Sequence, residues 1–259
     1  MRNSLLTFDS AAATHVGKVR QCNEDAYLVR PESGIWAVAD GMGGEEAGDV
    51  ASSTVVEALQ SIEPPRSAAE LLAACEDRVL LANSRLKAIA AERQTLVIGS
   101  TIAMLLAYGS HYACVWSGDS RIYRVRGGKI AQISRDHTAV QELIDNGTLT
   151  PDEARAWPER HVITRAIGVY DEPELELQYG VLSPGDVFVL CSDGLTAHVS
   201  DDEIRYYVST RPSQEACDDL IALTLRRGAV DNVTVLVVRY HPNGSGLAVY
   251  ESVSSRDRE

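Results

Sequence analysis

The sequence predicts an α+β sandwich, on three observations. Strand-like runs joined by glycine turns fill the middle of the chain. Helix-period apolar stripes come in pairs on either side of them. Apolar runs also end repeatedly at aspartate.

Taken in order, residues 35–39 are a short apolar strand closed by Asp40-Gly41. Ala47, Ala51, Val55, Ala58 and Leu59 recur at helical spacing and predict a first helix. Leu72, Cys75, Val79, Ala82, Leu86 and Ile89 predict a longer one, opened by a capping box of Ser67 and Glu70. Residues 101–108, 112–116, 121–126 and 129–133 read as one antiparallel meander, with Gly109-Ser110 and Gly127-Gly128 as hairpin connections. A helix is expected over 140–144, and a short one after Thr150, with Pro151 in its first turn and Glu153 completing a capping box. Strands follow at 174–179 and 187–191. Ser200 with Glu203 caps another helix, and Ser213 opens a last one on Cys217, Leu220, Ile221 and Leu225. Residues 233–240 are the final strand. No linker divides residues 1–240, which read as one domain. Residues 241–259, with Asn243-Gly244-Ser245-Gly246, read as a loose extension.

The chain has 259 residues, enough to bury a sizeable core. Its formal charge of -13 argues against nucleic acid or an anionic membrane as the main partner. No apolar run reaches the ~18 residues of a membrane span, and residues 1–13 lack the apolar region of a signal peptide. Five scattered cysteines, with no Cys-x-x-Cys, fit a reducing compartment; the expected location is the cytoplasm and the expected state a monomer.

Four aspartates sit where apolar runs end or the chain reverses: Asp40, Asp119, Asp193 and Asp231. A carboxylate at the edge of a buried strand costs free energy unless something pairs it. Each has an ordinary reading as a turn or cap, and Arg20 to Asp25 could be a solvated charged turn. Jointly they point to one site for a hard cation. The glycine-rich Asp40-Gly41-Met42-Gly43-Gly44 lets backbone approach a ligand closely, and it lacks the pattern of a nucleotide loop. Arg20 supplies a donor fork suited to phosphate.

Five motifs then stand in a telling order: Arg20-x-x-Asn23-Glu24-Asp25, Asp40-Gly41-Met42-Gly43-Gly44, Gly118-Asp119-Ser120-Arg121, Ser192-Asp193-Gly194-Leu195 and Asp231-Asn232-x-Thr234. In order and spacing they resemble the PP2C (PPM) family of metal-dependent serine/threonine protein phosphatases, bacterial type, from about Thr14 to Tyr240. The resemblance implies a four-layer αββα sandwich with two Mn²⁺ or Mg²⁺ ions in the cleft between the sheet edges. It implies that Asp40 bridges the ions, that Gly41 coordinates one through its carbonyl, and that Asp193 and Asp231 hold the other. Asp119 would serve a third, weaker metal position. Glu24, Asp25 and Asn232 would stand behind these ligands, the two acids ordering metal-bound water. Arg20 would grip the substrate phosphate. The implied reaction is attack of a metal-activated hydroxide on phosphoserine or phosphothreonine, with no protein nucleophile.

Animal members of the family carry histidine after Asp-Gly; this chain has Met42, so leaving-group protonation falls to water or to another group, His137 and His161 being candidates. Residues 138–160 match the family's flap, which is expected to influence substrate choice. Residues 13–20 and Glu46-Ala47-Gly48-Asp49 are similar to phosphatases linked to type VI secretion, which oppose a membrane kinase acting on forkhead-associated-domain proteins. The implied partners are phosphorylated proteins and a cognate Ser/Thr kinase. Two alternatives share the same acids: a pseudophosphatase that binds phosphoproteins, and a small-molecule phosphomonoesterase.

Overall fold

The computed structural model describes residues 7–43, 47–95, 97–155, 157–159 and 162–241. In chain order its elements are β1 (Thr7–His15), β2 (Asp25–Arg30), β3 (Ile35–Met42), α1 (Gly48–Gln60), α2 (Ala68–Arg93), β4 (Gly99–Ser100), β5 (Ile102–Tyr108), β6 (His111–Ser117), β7 (Arg121–Arg126) and β8 (Lys129–Gln132). There follow α3 (Ala139–Asp145), α4 (Pro151–Arg155), β9 (Glu176–Val181), β10 (Val187–Cys191), α5 (Asp193–Thr196), α6 (Asp201–Thr210), α7 (Ser213–Arg226) and β11 (Val233–His241).

Two antiparallel sheets face each other. One runs β1-β11-β10-β7-β8; the other runs β2-β3-β5-β6-β9, with β4 beside β3. Trp36, Val38, Leu105 and Trp116 from the second sheet meet Ile122, Phe188, Leu190 and Leu236 from the first in a buried layer between them. Full burial of each such side chain contributes about 1.5–3 kcal/mol. Helices α1 and α2 cover the outer face of the second sheet, and α5, α6 and α7 that of the first. The αββα layering implied by the resemblance is therefore present. Strand β5 shows why its sequence is apolar throughout: Ala103, Leu105 and Ala107 face the other sheet, while Ile102, Met104 and Leu106 face the helices.

Three expectations need correction. The meander does not exist as one sheet: β6 pairs β5 and β9, whereas β7 pairs β10 and β8. The Gly118-Asp119-Ser120 turn carries the chain from one sheet to the other. Strands β1 and β2 were absent from the sequence expectation. In β1, Phe8 and Ala12 pack inward and Ala11 and Ala13 outward, so small alanines carry most of a weak alternation. At the start of α2, Ser67 accepts the Glu70 N–H at 3.0 Å, but the Glu70 carboxylate accepts from Arg66 N–H instead, leaving half a capping box. The boxes at Thr150–Glu153 and Ser200–Glu203 are complete. Strand β11 runs through His241; the rest of the expected tail lies outside the described residues.

Candidate metal and phosphate site

The site forms where the two sheets' strand ends approach one another. Asp40 lies near the end of β3, directly opposite Asp25 of β2 in the antiparallel register. Buried Asp25 accepts a hydrogen bond from Ser192 Oγ at 2.7 Å, and that hydroxyl in turn accepts the Thr234 N–H at 3.0 Å. One serine thus ties the second sheet to both strand ends that carry Asp193 and Asp231. Asn232 does similar work: its Nδ2 donates to Val16 O and Cys22 O at 2.9 Å, and its Oδ1 accepts Glu24 N–H at 2.8 Å. Asp231 Oδ2 accepts from Arg20 Nη2 at 2.8 Å.

Glycine is required at two points in this wall. A Cβ at Gly41 would sit 1.8 Å from Gly48 O, and one at Gly194 would sit 1.8 Å from Asn232 O. Both separations lie far inside van der Waals contact, so the close approach that brings the site's backbone together excludes any side chain there.

A cleft of ≈ 780 Å³ is lined by Arg20, Glu24, Asp40, Gly41, Asp119, Asp193, Asp231 and Asn232, among others. Asp25 lies behind this wall. A second cavity, ≈ 510 Å³, joins Asp119 and Asp193 to Val140, Gln141, Pro151 and Ala154 of the expected flap. The structure therefore gathers the five expected metal ligands and Arg20 around one cavity, with α3 and α4, where the flap is expected, beside it. Gly44 and His161 lie outside the described residues.

The electrostatics of this arrangement call for positive charge. Burial, and then repulsion from Asp25, Asp193, Asp119 and Asp231, push the Asp40 carboxyl well above the usual range. Burial likewise pushes Asp25 up to about 7 and Asp119 up to about 8, each further raised by Asp193. Asp25 Oδ1 and Asp119 Oδ1 are buried without a hydrogen-bond partner. The ion pair with Asp231 favours the charged form of Arg20. As the side chains stand, no three His, Cys, Asp or Glu groups among the described residues close into a ligand set by themselves. An all-oxygen donor set with orphaned carboxylate oxygens fits a hard divalent cation.

His137 is not a general acid facing the cleft. It is buried, its Nδ1 accepts the Gly118 N–H at 3.1 Å, and its Nε2 lies 3.2 Å from Glu176 Oε1. Burial and then the Arg165 charge lower its pKa. Burial raises the thiols of Cys75, Cys114, Cys191 and Cys217 to about 12, which makes these four poor nucleophiles, whereas Cys22 is exposed and lines the cleft. Sequence reading missed Thr101 and the bridging role of Ser192, because a buried hydroxyl leaves no periodic signal. It also missed His198, which lines the cleft.

Fold and cleft together define a class: a two-sheet sandwich whose strand ends present oxygen ligands for hard cations beside a phosphate-matched arginine. The chain belongs to the protein phosphatase 2C family, whose profile matches residues 14–228. Its structure is similar to that of "PppA, a key regulatory component of T6SS in Pseudomonas aeruginosa", with 44% identity, a TM-score of 0.84, and coverage of 90% of this chain and 97% of that one. It is 38% identical over 239 residues to the serine/threonine protein phosphatase PstP of Mycobacterium tuberculosis, covering 92% of this chain and 46% of PstP. The chain thus spans about half the length of those mycobacterial relatives. A solved PstP catalytic domain in complex with two manganese ions matches at 37% identity and a TM-score of 0.81, over 91% of this chain and 99% of that one. No helix among the described residues is long and apolar enough to cross a membrane.

Proposed function

We propose that this chain is a metal-dependent protein serine/threonine phosphatase, hydrolysing phosphoserine and phosphothreonine in proteins. The observation that carries it is the convergence of Asp40, Gly41, Asp119, Asp193, Asp231 and Arg20 on one cleft, in a member of the PP2C family. The manganese-bound PstP catalytic domain supports the same metal chemistry here. In this reading Asp40, which lines the cleft with Asp119, Asp193 and Asp231, would be the ligand shared by two ions. The Gly41 carbonyl would help hold one ion, and Asp193 with Asp231 would hold the other. Asp119, which lines the same cleft, would serve a third ion. Asp25 from behind the wall, with Glu24 and Asn232 in it, would support these ligands.

Bound Mn²⁺ or Mg²⁺ supplies a water nucleophile at neutral pH and neutralises phosphoryl charge. Arg20 contributes the rest of the phosphate recognition. Among the described residues it hydrogen-bonds Asp231 alone, and a guanidinium carries five N–H donors. It can therefore hold the phosphate against the metal-ligating wall and stabilise charge on the transferring group. Helices α3 and α4 share a cavity with Asp119 and Asp193, which supports a flap role for them in selecting what enters.

The phosphatase unit is residues 1–240, with residues 138–160 as its flap and residues 241–259 as an appendage. It acts in the cytoplasm as a monomer on phosphoproteins made by a cognate Ser/Thr kinase. The likeness to PppA favours a place in type VI secretion control, and the motif resemblance of residues 13–20 adds a membrane kinase and its forkhead-associated-domain substrate as what it would oppose. The decisive assay is Mn²⁺-dependent phosphate release from an aryl phosphate and a phosphothreonine peptide, with Asp40→Asn and Asp193→Asn in parallel. No wild-type turnover with metal sinks the activity; turnover surviving both substitutions sinks the site. For the pathway, a deletion strain with unchanged secretion and unchanged phosphorylation of the forkhead-associated protein counts against the assignment.

A further inference from the structure

Thr101 stands between Asp40 of the second sheet and the Gly118-Asp119-Ser120 turn that crosses to the first. It follows β4 and is fully buried. Its N–H donates to Asp40 O at 2.8 Å, and its Oγ1 accepts the Asp40 N–H at 3.0 Å. Thr101 therefore touches both the N–H and the carbonyl of Asp40, and Ser100 Oγ donates to the same carbonyl at 3.1 Å. The same hydroxyl lies 2.7 Å from Ser120 Oγ. Its methyl side presses on Gly118: a Cβ there would meet Thr101 Cγ2 at 2.6 Å and Cβ at 2.7 Å. Thr101 thus touches the residues on both sides of Asp119, one through its methyl group and the other through its hydroxyl.

The turn is also braced from its far side. His137 donates its backbone N–H to Gly118 O at 2.9 Å, and its Nδ1 accepts the Gly118 N–H. Gly118, at φ +107, is pinned between His137 and Thr101. Asp119 cannot move relative to Asp40 without breaking a buried hydroxyl contact or displacing this glycine.

We propose that Thr101 is a positioning residue that sets the separation of Asp40 and Asp119, and so couples ion binding at Asp119 to ion binding at Asp40. This rests on the metal-dependent reading of the cleft given above. Valine at this position keeps the methyl wall and loses the hydroxyl; serine keeps the hydroxyl and loses the methyl.

The test is Mn²⁺ titration of the metal-stripped full chain by calorimetry, using wild type, Thr101→Val, Thr101→Ser, Asp119→Asn and the Thr101→Val/Asp119→Asn pair. Loss of the hydroxyl should weaken the weakest class of Mn²⁺ binding about tenfold, the scale seen when groups behind metal ligands are removed. Thr101→Ser should stay near wild type. In the Asp119→Asn background the valine should add little, because the position it acts on is already lost. A merely structural role would instead lower the melting temperature in chelator and weaken every class alike, unrescued by serine. That result, or a Thr101→Val isotherm matching wild type, overturns the proposal. If Thr101→Val does not fold, Ser120→Ala removes the same contact from its other end, and an unchanged isotherm there overturns it too. Wild type failing to bind Mn²⁺ at all would overturn the metal reading itself, which is a distinguishable outcome.

Discussion

Arg20 and Asp231 meet at 2.8 Å across 211 residues of sequence, so the phosphate-matched side chain is held by a carboxylate that is itself an expected metal ligand. Both side chains are part-exposed, at 49% and 37%. Such a pair adds under ~1 kcal/mol to stability, and its value lies in aiming the guanidinium. Arg20→Ala should therefore leave the melting temperature nearly unchanged. It should lower kcat/KM on a phosphothreonine peptide by ~10–100-fold, the worth of a hydrogen bond to a charged group. Arg20→Lys should fall between, since lysine keeps the charge and loses the fork. Wild-type kcat/KM in Arg20→Ala would remove Arg20 from substrate binding.

The acid cluster makes the metal-free protein pH-sensitive in an unusual sense. Asp25 and Asp119 are raised to about 7 and about 8, and Asp40 is raised as well, above the values these groups have when unfolded. Between about pH 4 and pH 8 the native state then binds more protons than the unfolded state, so stability falls as pH rises through that window. In chelator, the melting temperature should be higher at pH 5.5 than at pH 8, and Asp25→Asn should raise the value at pH 8. Mn²⁺ should remove most of the difference. A chelated protein that gains stability from pH 5.5 to pH 8 would contradict the cluster's electrostatics.

Gly41 and Gly194 are predicted to be intolerant of alanine, because a Cβ at either would lie 1.8 Å from a carbonyl oxygen. Overpacking of this kind costs roughly 1–3 kcal/mol or more. Gly109→Ala is the control: it has open space around it but φ +58, so it should cost only the smaller left-handed penalty of about 1 kcal/mol. Denaturant titration of the three variants checks the ranking.

Glu203 completes the capping box of α6 and pairs with Arg227 at 2.6 Å. Its carboxyl is held down at about 2, first by the Arg227 hydrogen bond and then by the cap. A depressed pKa means that its stabilisation is present above the unfolded value of about 4.5 and is lost as pH falls through about 2. Glu203→Ala should cost ~1 kcal/mol near neutral pH, as cap deletions do, and progressively less on acidification. Paired urea titrations of wild type and variant at pH 7 and pH 3 measure this; a constant difference would refute it.

Much of the fold was readable because its periodicities are strong. The stripe of α2 and the continuous apolar run of β5 each match one buried face or two, and the turns at Gly109-Ser110 and Gly127-Gly128 mark true hairpins. The missed strands were those with little side-chain contrast. Strand β1 is half-buried along most of its length and alanine-rich, so its pairing with β11 comes from backbone hydrogen bonds that no side-chain pattern reports. The false meander has another cause. Local turn chemistry at Gly118-Asp119 is the same whether the next strand folds back on its neighbour or crosses to a different sheet.

The sequence by itself determined which residue types could serve the site: four aspartates at strand ends or turns, an arginine ahead of two acids, and glycines where backbone must come close. Only the tertiary structure decided that these residues share a cleft and what holds them there. Asp40 belongs to the second sheet, Asp193 and Asp231 flank strands of the first, and Asp119 lies on the crossing between the two. Their meeting depends on two sheets packing face to face through Trp36, Phe188 and Leu236. Burial of that interface is long-range and non-directional. The spacing of the acids was left to buried hydroxyls, Ser192 beside Asp25 and Thr101 between Asp40 and Asp119, whose partners lie in other strands and turns.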